Sequence, residues 1–525
     1  MPKKIKQQYK TLKGFKDVLP DQQKYWDFLY DRTRQTSIDY GFRKLDLPVL
    51  EDARIYIKGT GKTTDIVEKE LYAFEDKGGN KVALRPEFTP GVLRAYLEHG
   101  MINQPQPVKL FSWGPIFRHD NPQAGRLRQF HQFNFEVIGS DLPETDSQFI
   151  VMIAGLYKSF GLDVLIEINT IGCSECRHEY VKELNKFLRK NKDKLCNICQ
   201  ERMQRNPLRI LDCKEESCVE ATQDVPQIVD YVCVECKDHF VKVLENLDEI
   251  DVIYSLNPRL VRGLDYYTRT TFEVFLNEEN YPKLDKTTNE HFCEKNNKAK
   301  LKMSDKNQNE DKKIALGGGG RYDNLMEILG GRPTPAIGMA GGVERVISVL
   351  KQISIEVPDS SQADVFIAQL GDDAKKKSIK MFEDMRRENI RIREAFSKTG
   401  LKSQLEIANR LNVKYTLILG QKEMIDGTII IRDMESGIQE IVPFEKAIVE
   451  IKKRLAGGNG VKVYTGTKIC GDIKNNEEHG QEGLKKATNG GDARTVLDFT
   501  KEPQAQDDLF SDLEADPLDE DMDID

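Results

Sequence analysis

One face of a predicted strand carries polar side chains that could bind a ligand. Within residues 111–138, two strand-like runs flank a polar loop, which predicts a hairpin with a long loop. On its second strand, a period of two places Phe130, Gln132, Asn134 and Glu136 on one face. Amides and a carboxylate left unpaired in a core would be costly, so this face favours a ligand pocket. A strand with one face in water explains the pattern equally well.

Two arginines could bring fixed positive charge to an anion. Arg262 precedes Gly263 in a segment, 260–275, that the pattern predicts to be another strand. Its guanidinium stays protonated and can bind an anion without any proton transfer. Arg345 falls in the first turn of a helix predicted to follow a strand within residues 334–350, although an arginine on a surface helix is usually just solvated.

Two further motifs could contact a ligand. In LRPEFTP, Glu87 and Thr89 are two residues apart and could supply an acceptor pair for an amine. The glycine run in GGGGRYDNL, residues 317–325, would let the backbone approach a ligand closely, but such a run is often only a turn.

Composition and charge set limits on the elements that must position these residues. The 525 residues are 39% hydrophobic and 31% charged, enough to bury a sizeable core in about three domains. The net charge is −8, but residues 502–525 hold eleven acids and no Lys or Arg. Removing those eleven charges leaves +3 on residues 1–501, so a polyanionic partner is not excluded. No run of about 18 apolar residues and no signal-peptide pattern is found, which predicts a cytoplasmic protein without a membrane segment.

Changes in amino-acid composition and in the pattern of apolar residues predict five regions along the chain. They are two stretches at 1–160 and 251–352 that alternate strand-like runs with glycine-rich turns, a cysteine-rich segment between them at 161–250, a compact α/β domain at 362–455 and an acidic tail at 456–525. The tail and a polar loop at 280–313 have too few large apolar residues to order themselves, so we expect both to be disordered.

Eight of the ten cysteines crowd into residues 173–236. Three CxxC pairs in a chain expected to be cytoplasmic match the spacing of structural zinc ligands. The first two pairs form the best single set, Cys173 and Cys176 with Cys196 and Cys199, and one or two zinc ions are possible. The alternative is that the thiols are reduced and pack as small hydrophobic side chains.

Together these motifs resemble the histidyl-tRNA synthetase family, which belongs to the class II aminoacyl-tRNA synthetases. The matching segments occur in the order of the family and account for about residues 10–455 apart from the 280–313 loop. They are KGFKDVLP, GFRKLDLPVLED, TTDIVEKELYAFEDKGG, LRPEFTP, the hairpin with RQFHQF, LVRGLDYY, GGGGRYD and the helix that carries Arg345.

The resemblance implies that residues 1–160 and 251–352 form one α+β class II catalytic domain with an antiparallel six-stranded sheet. It makes 161–250 a cysteine-rich insertion domain and 362–455 a C-terminal anticodon-binding α/β domain. It implies a homodimer that uses ATP with Mg²⁺ to convert L-histidine into histidyl-adenylate. The histidyl group then passes to the 3′ end of the histidine tRNA, tRNA(His). By the same resemblance, the cysteine-rich insertion clamps the acceptor stem of that tRNA.

The resemblance also implies roles for single residues. Arg262 would be catalytic, neutralising charge that grows on the α-phosphate. For ATP, Phe130 would stack on adenine, Arg118 would contact the α-phosphate, Arg345 would contact the γ-phosphate, and Asp120 would lie in the motif-2 loop of the site.

For histidine, the resemblance assigns Glu87 and Thr89 to the α-amino group, with Gln132 near it. It places Glu136, Tyr267 and Tyr322 around the imidazole. A site that pairs both ring nitrogens rejects amino acids that lack them, because its own polar groups would then stay unpaired.

The chain departs from the family pattern in the motif-2 loop. Where the family often shows Glu-Arg-Pro, this chain has Asp120, Asn121 and Pro122, which leaves recognition of the tRNA acceptor end open. The rival function is a catalytically silent relative, a regulatory subunit of ATP phosphoribosyltransferase. Such relatives lose the adenylation residues and the anticodon domain, whereas this chain keeps Arg118, Arg262, Arg345 and a domain after residue 362.

Overall fold

The computed structural model describes residues 9–61, 64–120, 127–277, 280–281, 315–359 and 361–457. Most of the predicted 280–313 loop, nearly all of the predicted tail, and Asn121 and Pro122 lie outside these described residues. Among the described residues, no helix has both the length and the apolar character that crossing a bilayer requires.

The first three quarters of the chain alternate short strands and helices. The strands are β1 Arg43–Lys44, β2 Leu50–Asp52, β3 Ala73–Glu75, β4 Lys81–Leu84, β5 Val108–Phe117, β6 Gln129–Ile138, β7 Val164–Thr170, β8 Tyr254–Leu256, β9 Thr268–Leu276, β10 Ala315–Arg321 and β11 Ala336–Gly342. The helices are α1 Gln23–Asp39, α2 Ala53–Thr60, α3 Thr89–Glu98, α4 Pro143–Ser159, α5 Ser174–Lys190, α6 Asn197–Arg205, α7 Glu216–Ala221, α8 Val234–Glu249, α9 Leu325–Ile328 and α10 Val343–Gln352.

Eight of these strands form one sheet in the order β1-β5-β6-β11-β10-β9-β7-β8. The six central strands pair antiparallel, and the edge strands β1 and β8 pair parallel with their neighbours. The predicted antiparallel six-stranded sheet is therefore confirmed, with a parallel strand added at each edge. Strands β2, β4 and β3 form a separate small sheet.

The predicted hairpin is also confirmed, since β5 and β6 pair along their whole lengths. Phe133, Phe135 and Val137 of β6 are buried in a hydrophobic cluster with residues of α4 and α10, such as Ile153 and Ile347. This packing fixes one face of β6 and leaves Gln132 and Glu136 on the opposite face, as the period of two predicted.

Two local predictions were wrong. The predicted strand at 260–275 begins only at Thr268, so Arg262 lies in the connection that precedes β9. The glycine run at 317–320 is part of the central strand β10 rather than a turn. Glycine is required there because a Cβ at Gly319 would lie 2.1 Å from the carbonyl oxygen of Gly338 on β11.

Residues after 361 form a second, mixed sheet. Its elements are β12 Val365–Gln369, α11 Asp372–Arg387, β13 Ile392–Glu394, α12 Leu401–Arg410, β14 Tyr415–Leu419, α13 Gln421–Asp426, β15 Thr428–Asp433, β16 Gln439–Pro443 and α14 Ala447–Gly457. The strand order is β13-β12-β14-β15-β16, parallel through the first three strands and antiparallel through the last three. The predicted α/β fold is confirmed, although the sequence reasoning missed the two edge strands and α13.

Candidate active site

Three arginines from separate motifs line one cavity. A cavity of about 480 Å³ beside the large sheet is lined by Arg118, Arg262 and Arg345. They come from the end of β5, the connection before β9 and the first turn of α10. Positive charge from three directions suits a polyphosphate, because guanidinium groups bind phosphate oxygens with bidentate geometry.

The β5–β6 hairpin positions Arg118 beside an aromatic ring. Arg118 Nε donates a hydrogen bond to the carbonyl oxygen of Pro86 at 2.9 Å, and its guanidinium carbon lies 5.6 Å from the centre of the Phe130 ring. Phe130 and Asp120 also line the cavity. The hairpin therefore presents a cation next to a flat apolar face, which fits a phosphate joined to a planar base.

Arg262 is held by an acidic partner that the sequence reasoning missed. Its Nη1 donates to Glu273 of β9, and its guanidinium carbon lies 5.8 Å from the centre of the Tyr267 ring. Burial lowers the pKa of Arg262, but the carboxylate of Glu273 and the hydroxyl groups of Tyr267 and Tyr266 together outweigh burial and leave the pKa raised. Arg262 therefore stays protonated. Its Nε is buried and has no hydrogen-bond partner among the described residues. The period of two along β9 places Glu273 on the same face as Thr271. This alternation is the signal in the sequence that could have identified Glu273.

Arg345 is oriented from the helix that follows β11. Its Nη1 donates to the carbonyl oxygen of Ala315 at 2.9 Å, at the start of β10. The predicted strand, glycine pair and helix are all present, and Arg345 is the third residue of α10. Arg345 is exposed, and its side chain lines the cavity.

A buried acidic group lies at the inner end of the cavity. Glu87 accepts hydrogen bonds from Thr60 Oγ1 at 2.8 Å and from the Tyr266 hydroxyl at 2.7 Å. Burial raises the pKa of Glu87, while those two hydrogen bonds and the charge of Arg118 act in the opposite direction. Glu87 and Thr89 do not share a strand, because β4 ends at Leu84 and Thr89 begins α3.

A second buried acid lies behind the first. Glu136 accepts hydrogen bonds from Thr89 Oγ1 at 2.6 Å, from Asn134 Nδ2 at 3.0 Å and from the Tyr322 hydroxyl. Burial raises the pKa of Glu136 to about 7, and the three hydrogen bonds limit that rise. A carboxyl with this pKa can change its proton state near neutral pH.

The residues predicted to bind histidine fall into two groups. Glu87, Thr89, Gln132 and Tyr267 line the cavity, whereas the side chains of Glu136 and Tyr322 are at most 1% exposed and lie behind its wall. Gln132 Oε1 is buried and has no hydrogen-bond partner within the described residues, so it can accept a hydrogen bond from a ligand.

Sequence reasoning also missed several residues that build the site. Thr60 and Tyr266 hold Glu87, Asn134 holds Glu136, and Arg209 of the cysteine-rich region lines the cavity. Tyr266 and Asn134 were within the motifs, but pattern alone did not show which neighbour each would reach. Arg209 gave no signal, since its position depends on how the insertion packs.

The cysteines form two tetrads rather than the predicted set. One, which we call tetrad 1, is Cys173, Cys176, Cys233 and Cys236; the other, tetrad 2, is Cys196, Cys199, Cys213 and Cys218. Within each tetrad the four sulfur atoms lie within 4.8 Å of one another. The grouping of Cys173 and Cys176 with Cys196 and Cys199 was therefore wrong, because α5 packs its pair beside α8 and not beside α6.

Comparison with known proteins gives a consistent result. Residues 14–283 match the family model described as histidyl-tRNA synthetase, and residues 364–454 match the model described as anticodon binding domain. Histidine–tRNA ligase from Dehalococcoides mccartyi is 40% identical over 448 residues, which are 85% of this chain and all of that protein. The same enzyme from Natranaerobius thermophilus is 40% identical over 447 residues, 84% of this chain and 99% of that protein.

Solved structures show the same similarity. The crystal structure of apo histidyl-tRNA synthetase from S. aureus superposes with a TM-score of 0.68 at 29% identity, covering 85% of this chain and all of that one. A protein from Bacillus halodurans described as an ATP phosphoribosyltransferase regulatory subunit/histidyl-tRNA synthetase has a TM-score of 0.53 at 17% identity, covering 79% of this chain and 99% of that one. The second likeness is at the level of the fold alone.

Proposed function

The chain belongs to the histidyl-tRNA synthetase family, and we propose that its arginine-lined cavity is where it activates histidine with ATP before transfer to tRNA(His). It is an ATP-dependent histidine–tRNA ligase, as the sequence analysis predicted. The regulatory alternative is set aside, because the relatives at 40% identity are ligases and residues 364–454 match an anticodon binding domain.

The observation that carries this proposal is the convergence of Arg118, Arg262 and Arg345 on one cavity. In the reaction, a carboxylate oxygen of histidine attacks the α-phosphorus of ATP while the bond to pyrophosphate breaks. Arg118 and Arg262 would stabilise the charge that grows on the α-phosphate, and Arg345 would hold the γ-phosphate. Magnesium bound with ATP would neutralise part of the phosphate charge. A terminal hydroxyl of the tRNA then attacks the histidyl carbonyl, and AMP leaves.

Histidine selection would depend on the two buried acids. Glu87 and Thr89 at the cavity wall would receive the α-amino group, with Gln132 Oε1 as a further acceptor. Glu136 and Tyr322 would act from behind the wall through Thr89, while Tyr267 would contact the imidazole directly. Because these groups are buried, an amino acid that leaves them unpaired would bind much less tightly.

Three further properties are part of the proposal. Residues 364–454 would bind the anticodon of the tRNA, the enzyme would be a cytoplasmic homodimer, and structural zinc would occupy the cysteine tetrads. The first is supported by the match to an anticodon binding domain. The second is supported by the family resemblance, and the third by the sulfur spacing within each tetrad.

Amino-acid-dependent exchange of pyrophosphate into ATP tests the proposal. Across the twenty amino acids, histidine alone should support exchange. Arg262→Ala should lower the rate on the order of 100-fold, the usual cost of removing a charge that stabilises a transition state. Arg332→Ala, which changes an exposed arginine that does not line the cavity, should leave it unchanged. Exchange with another amino acid, or none with any, would refute the proposal.

A further inference from the structure

Each cysteine tetrad has the geometry of a tetrahedral thiolate site. In such a site the metal–sulfur distance of about 2.3 Å puts neighbouring sulfur atoms about 3.8 Å apart. Cys173 Sγ and Cys176 Sγ are 3.4 Å apart in tetrad 1, and Cys196 Sγ and Cys213 Sγ are 4.0 Å apart in tetrad 2. These values lie on either side of the ideal edge, and both exceed the roughly 2.05 Å of a disulfide bond.

Backbone hydrogen bonds reach one sulfur atom in each tetrad. The Cys233 N–H donates to Cys176 Sγ at 3.0 Å, and the Cys196 N–H donates to Cys218 Sγ at 3.1 Å. Cys173, Cys196 and Cys233 also immediately precede the helices α5, α6 and α8. Donated N–H groups and helix N-termini beside the sulfur atoms suit ligands that carry negative charge once a metal is bound.

Tetrad 1 is joined to the catalytic connection by one arginine. Arg177 directly follows the ligand Cys176, and its guanidinium donates to the carbonyl oxygens of Asp265, at 3.4 Å, and Tyr267. Those carbonyls belong to the same connection as Arg262. Movement of Cys176 would therefore be passed by one residue to the backbone that carries the catalytic arginine.

Tetrad 2 holds the same connection from another side. Asn206 and Arg209 lie in the segment between Cys199 and Cys213. Asn206 Nδ2 donates to Asp265 Oδ1 at 2.6 Å, and Arg209 Nη1 donates to the carbonyl oxygen of Gly263 at 2.6 Å. Arg209 also bonds Asp65 at 3.0 Å, so it ties the connection to the segment after α2.

Apolar packing links tetrad 2 to the cavity wall as well. Cys199 and Cys218 of tetrad 2 belong to a hydrophobic cluster that also contains Val261, Tyr266 and Tyr267. The connection lacks strand pairing between 260 and 267, so contacts from the insertion hold it together with the bonds of Arg262 to Glu273 and of Tyr266 to Glu87.

From these contacts we infer that the two tetrads bind one zinc-like divalent metal ion each and that the metals hold the Arg262 connection in its catalytic position. This inference rests on the proposed function. The insertion thereby acts in adenylate formation itself, in addition to any contact with tRNA. Arg177 and Asn206 are positioning residues, because they act through the backbone or side chains of the connection, whereas Arg209 also lines the cavity.

Metal content is the first test and does not depend on activity. Protein washed with a weak chelator should retain two equivalents of metal, and Cys236→Ser and Cys218→Ser should each retain one. Fewer than about 0.2 equivalents in the wild type, against the tight binding of structural thiolate sites, would overturn the inference. So would two full equivalents in either variant.

Coupling to catalysis is the second test. Release of metal from the wild type with a mercurial reagent and a chelator, followed by removal of the mercurial with thiol, should lower kcat of histidine-dependent pyrophosphate exchange at least tenfold. Added zinc should restore it. Stripped enzyme that keeps the full rate would overturn the inference. The metal-loaded wild type separates the two proposals, because its failure to activate histidine would refute the proposed function instead.

A variant that leaves every thiol in place completes the design. Arg177→Ala should keep two equivalents of metal yet lower kcat at least tenfold with little change in the KM for ATP. The reason is that a displaced Arg262 would stabilise the transition state less while substrate binding changes little. Arg177→Lys should recover part of the loss. Arg189→Ala, an exposed arginine on the same helix, should behave like the wild type. A normal kcat in Arg177→Ala would overturn the inference.

Discussion

The hydroxyl of Tyr266 donates a hydrogen bond of 2.7 Å to Glu87 Oε2, across 179 residues of chain. It joins the connection that carries Arg262 to the turn between β4 and α3. This bond connects the proposed histidine subsite to the segment of Arg262, since Tyr266 lies only four residues after Arg262.

Tyr266→Phe should weaken histidine binding. The change removes one of two hydroxyl groups that donate to Glu87, and burial already raises the pKa of this carboxyl. Loss of the donor should raise that pKa further and leave less of the carboxylate to bind an ammonium group. A lost hydrogen bond to a charged group costs about 1.5–3 kcal/mol, so the KM for histidine should rise at least about tenfold. Steady-state pyrophosphate exchange measures this rise.

The matched control removes a hydroxyl that contacts an acid elsewhere. Tyr254 donates to Asp248 at 2.8 Å, away from the cavity, so Tyr254→Phe should leave the KM for histidine unchanged. An unchanged KM in Tyr266→Phe as well would show that Glu87 does not bind the amino group.

Glu136 should make the stability of the protein depend on pH. Its pKa is raised by burial to about 7, above its ordinary 4.5, so between these values the folded state binds the proton and the unfolded state does not. The stabilisation is complete below pH 4.5 and is lost as the pH rises through 7. At 1.36 kcal/mol per unit, the full loss is on the order of 3 kcal/mol.

Glu136→Gln isolates this contribution. The amide cannot ionise, so the variant should lose less stability than the wild type when the pH rises from 5 to 7.5. Unfolding in urea at both pH values measures the difference. Parallel loss in the two proteins would mean that Glu136 keeps an ordinary pKa and is not held protonated by burial.

Gly318→Ala should impair catalysis while the fold persists. A Cβ at Gly318 would lie 2.6 Å from Arg262 Nη1. The guanidinium must therefore move away from the position in which it donates a hydrogen bond to Glu273. A displacement of about 1 Å can cost roughly 100-fold in rate. The kcat of pyrophosphate exchange should fall by that order, with a melting temperature close to that of the wild type.

Gly155→Ala is the control for this substitution. Gly155 lies in α4, and a Cβ there meets nothing within 4 Å, so alanine should be tolerated in rate and should slightly stabilise the helix. A Gly318→Ala enzyme with the kcat of the control would contradict the position that the structure gives to Arg262.

The sequence predicted those parts of the site whose position follows from a local period. The polar face of β6 was predicted because Phe133 and Phe135 must be buried on the other face. The position of Arg345 was predicted because it lies in the first turn of a helix that follows a strand and two glycines. Arg262 was placed on a strand in error. Its connection is shaped by Arg177 and Arg209, which are distant in sequence and carry no local signal.

The same limit explains the cysteines. Spacing identified the CxxC pairs, but the partner of each pair depends on which helices pack together. Tetrad 1 joins cysteines about 60 residues apart, from the starts of α5 and α8, while the start of α6 supplies Cys196 and Cys199 to tetrad 2. Several groupings satisfy one sequence, and only the packing of the insertion selects between them.

Charge reversal on α11 should weaken tRNA binding without affecting adenylation. Lys376 and Lys380 are exposed on this helix, and the one ion pair described for them, between Lys376 and Asp373, spans 3.8 Å at the surface. Such a pair contributes at most about 1 kcal/mol, so its loss should not unfold the helix. If residues 364–454 bind the anticodon arm, both lysines are available to phosphates.

The double variant Lys376→Glu, Lys380→Glu should therefore bind tRNA(His) less tightly and with a weaker dependence on salt. Each lost phosphate contact lowers the slope of log K against log salt by somewhat less than 1. Filter binding at several salt concentrations measures the slope, and histidine-dependent pyrophosphate exchange without tRNA should stay normal. Lys158→Glu, on an exposed position of α4, controls for charge reversal elsewhere on the surface, with half the change in net charge of the double variant. Lost exchange in the double variant, or an unchanged slope, would contradict a role for α11 in binding the tRNA backbone.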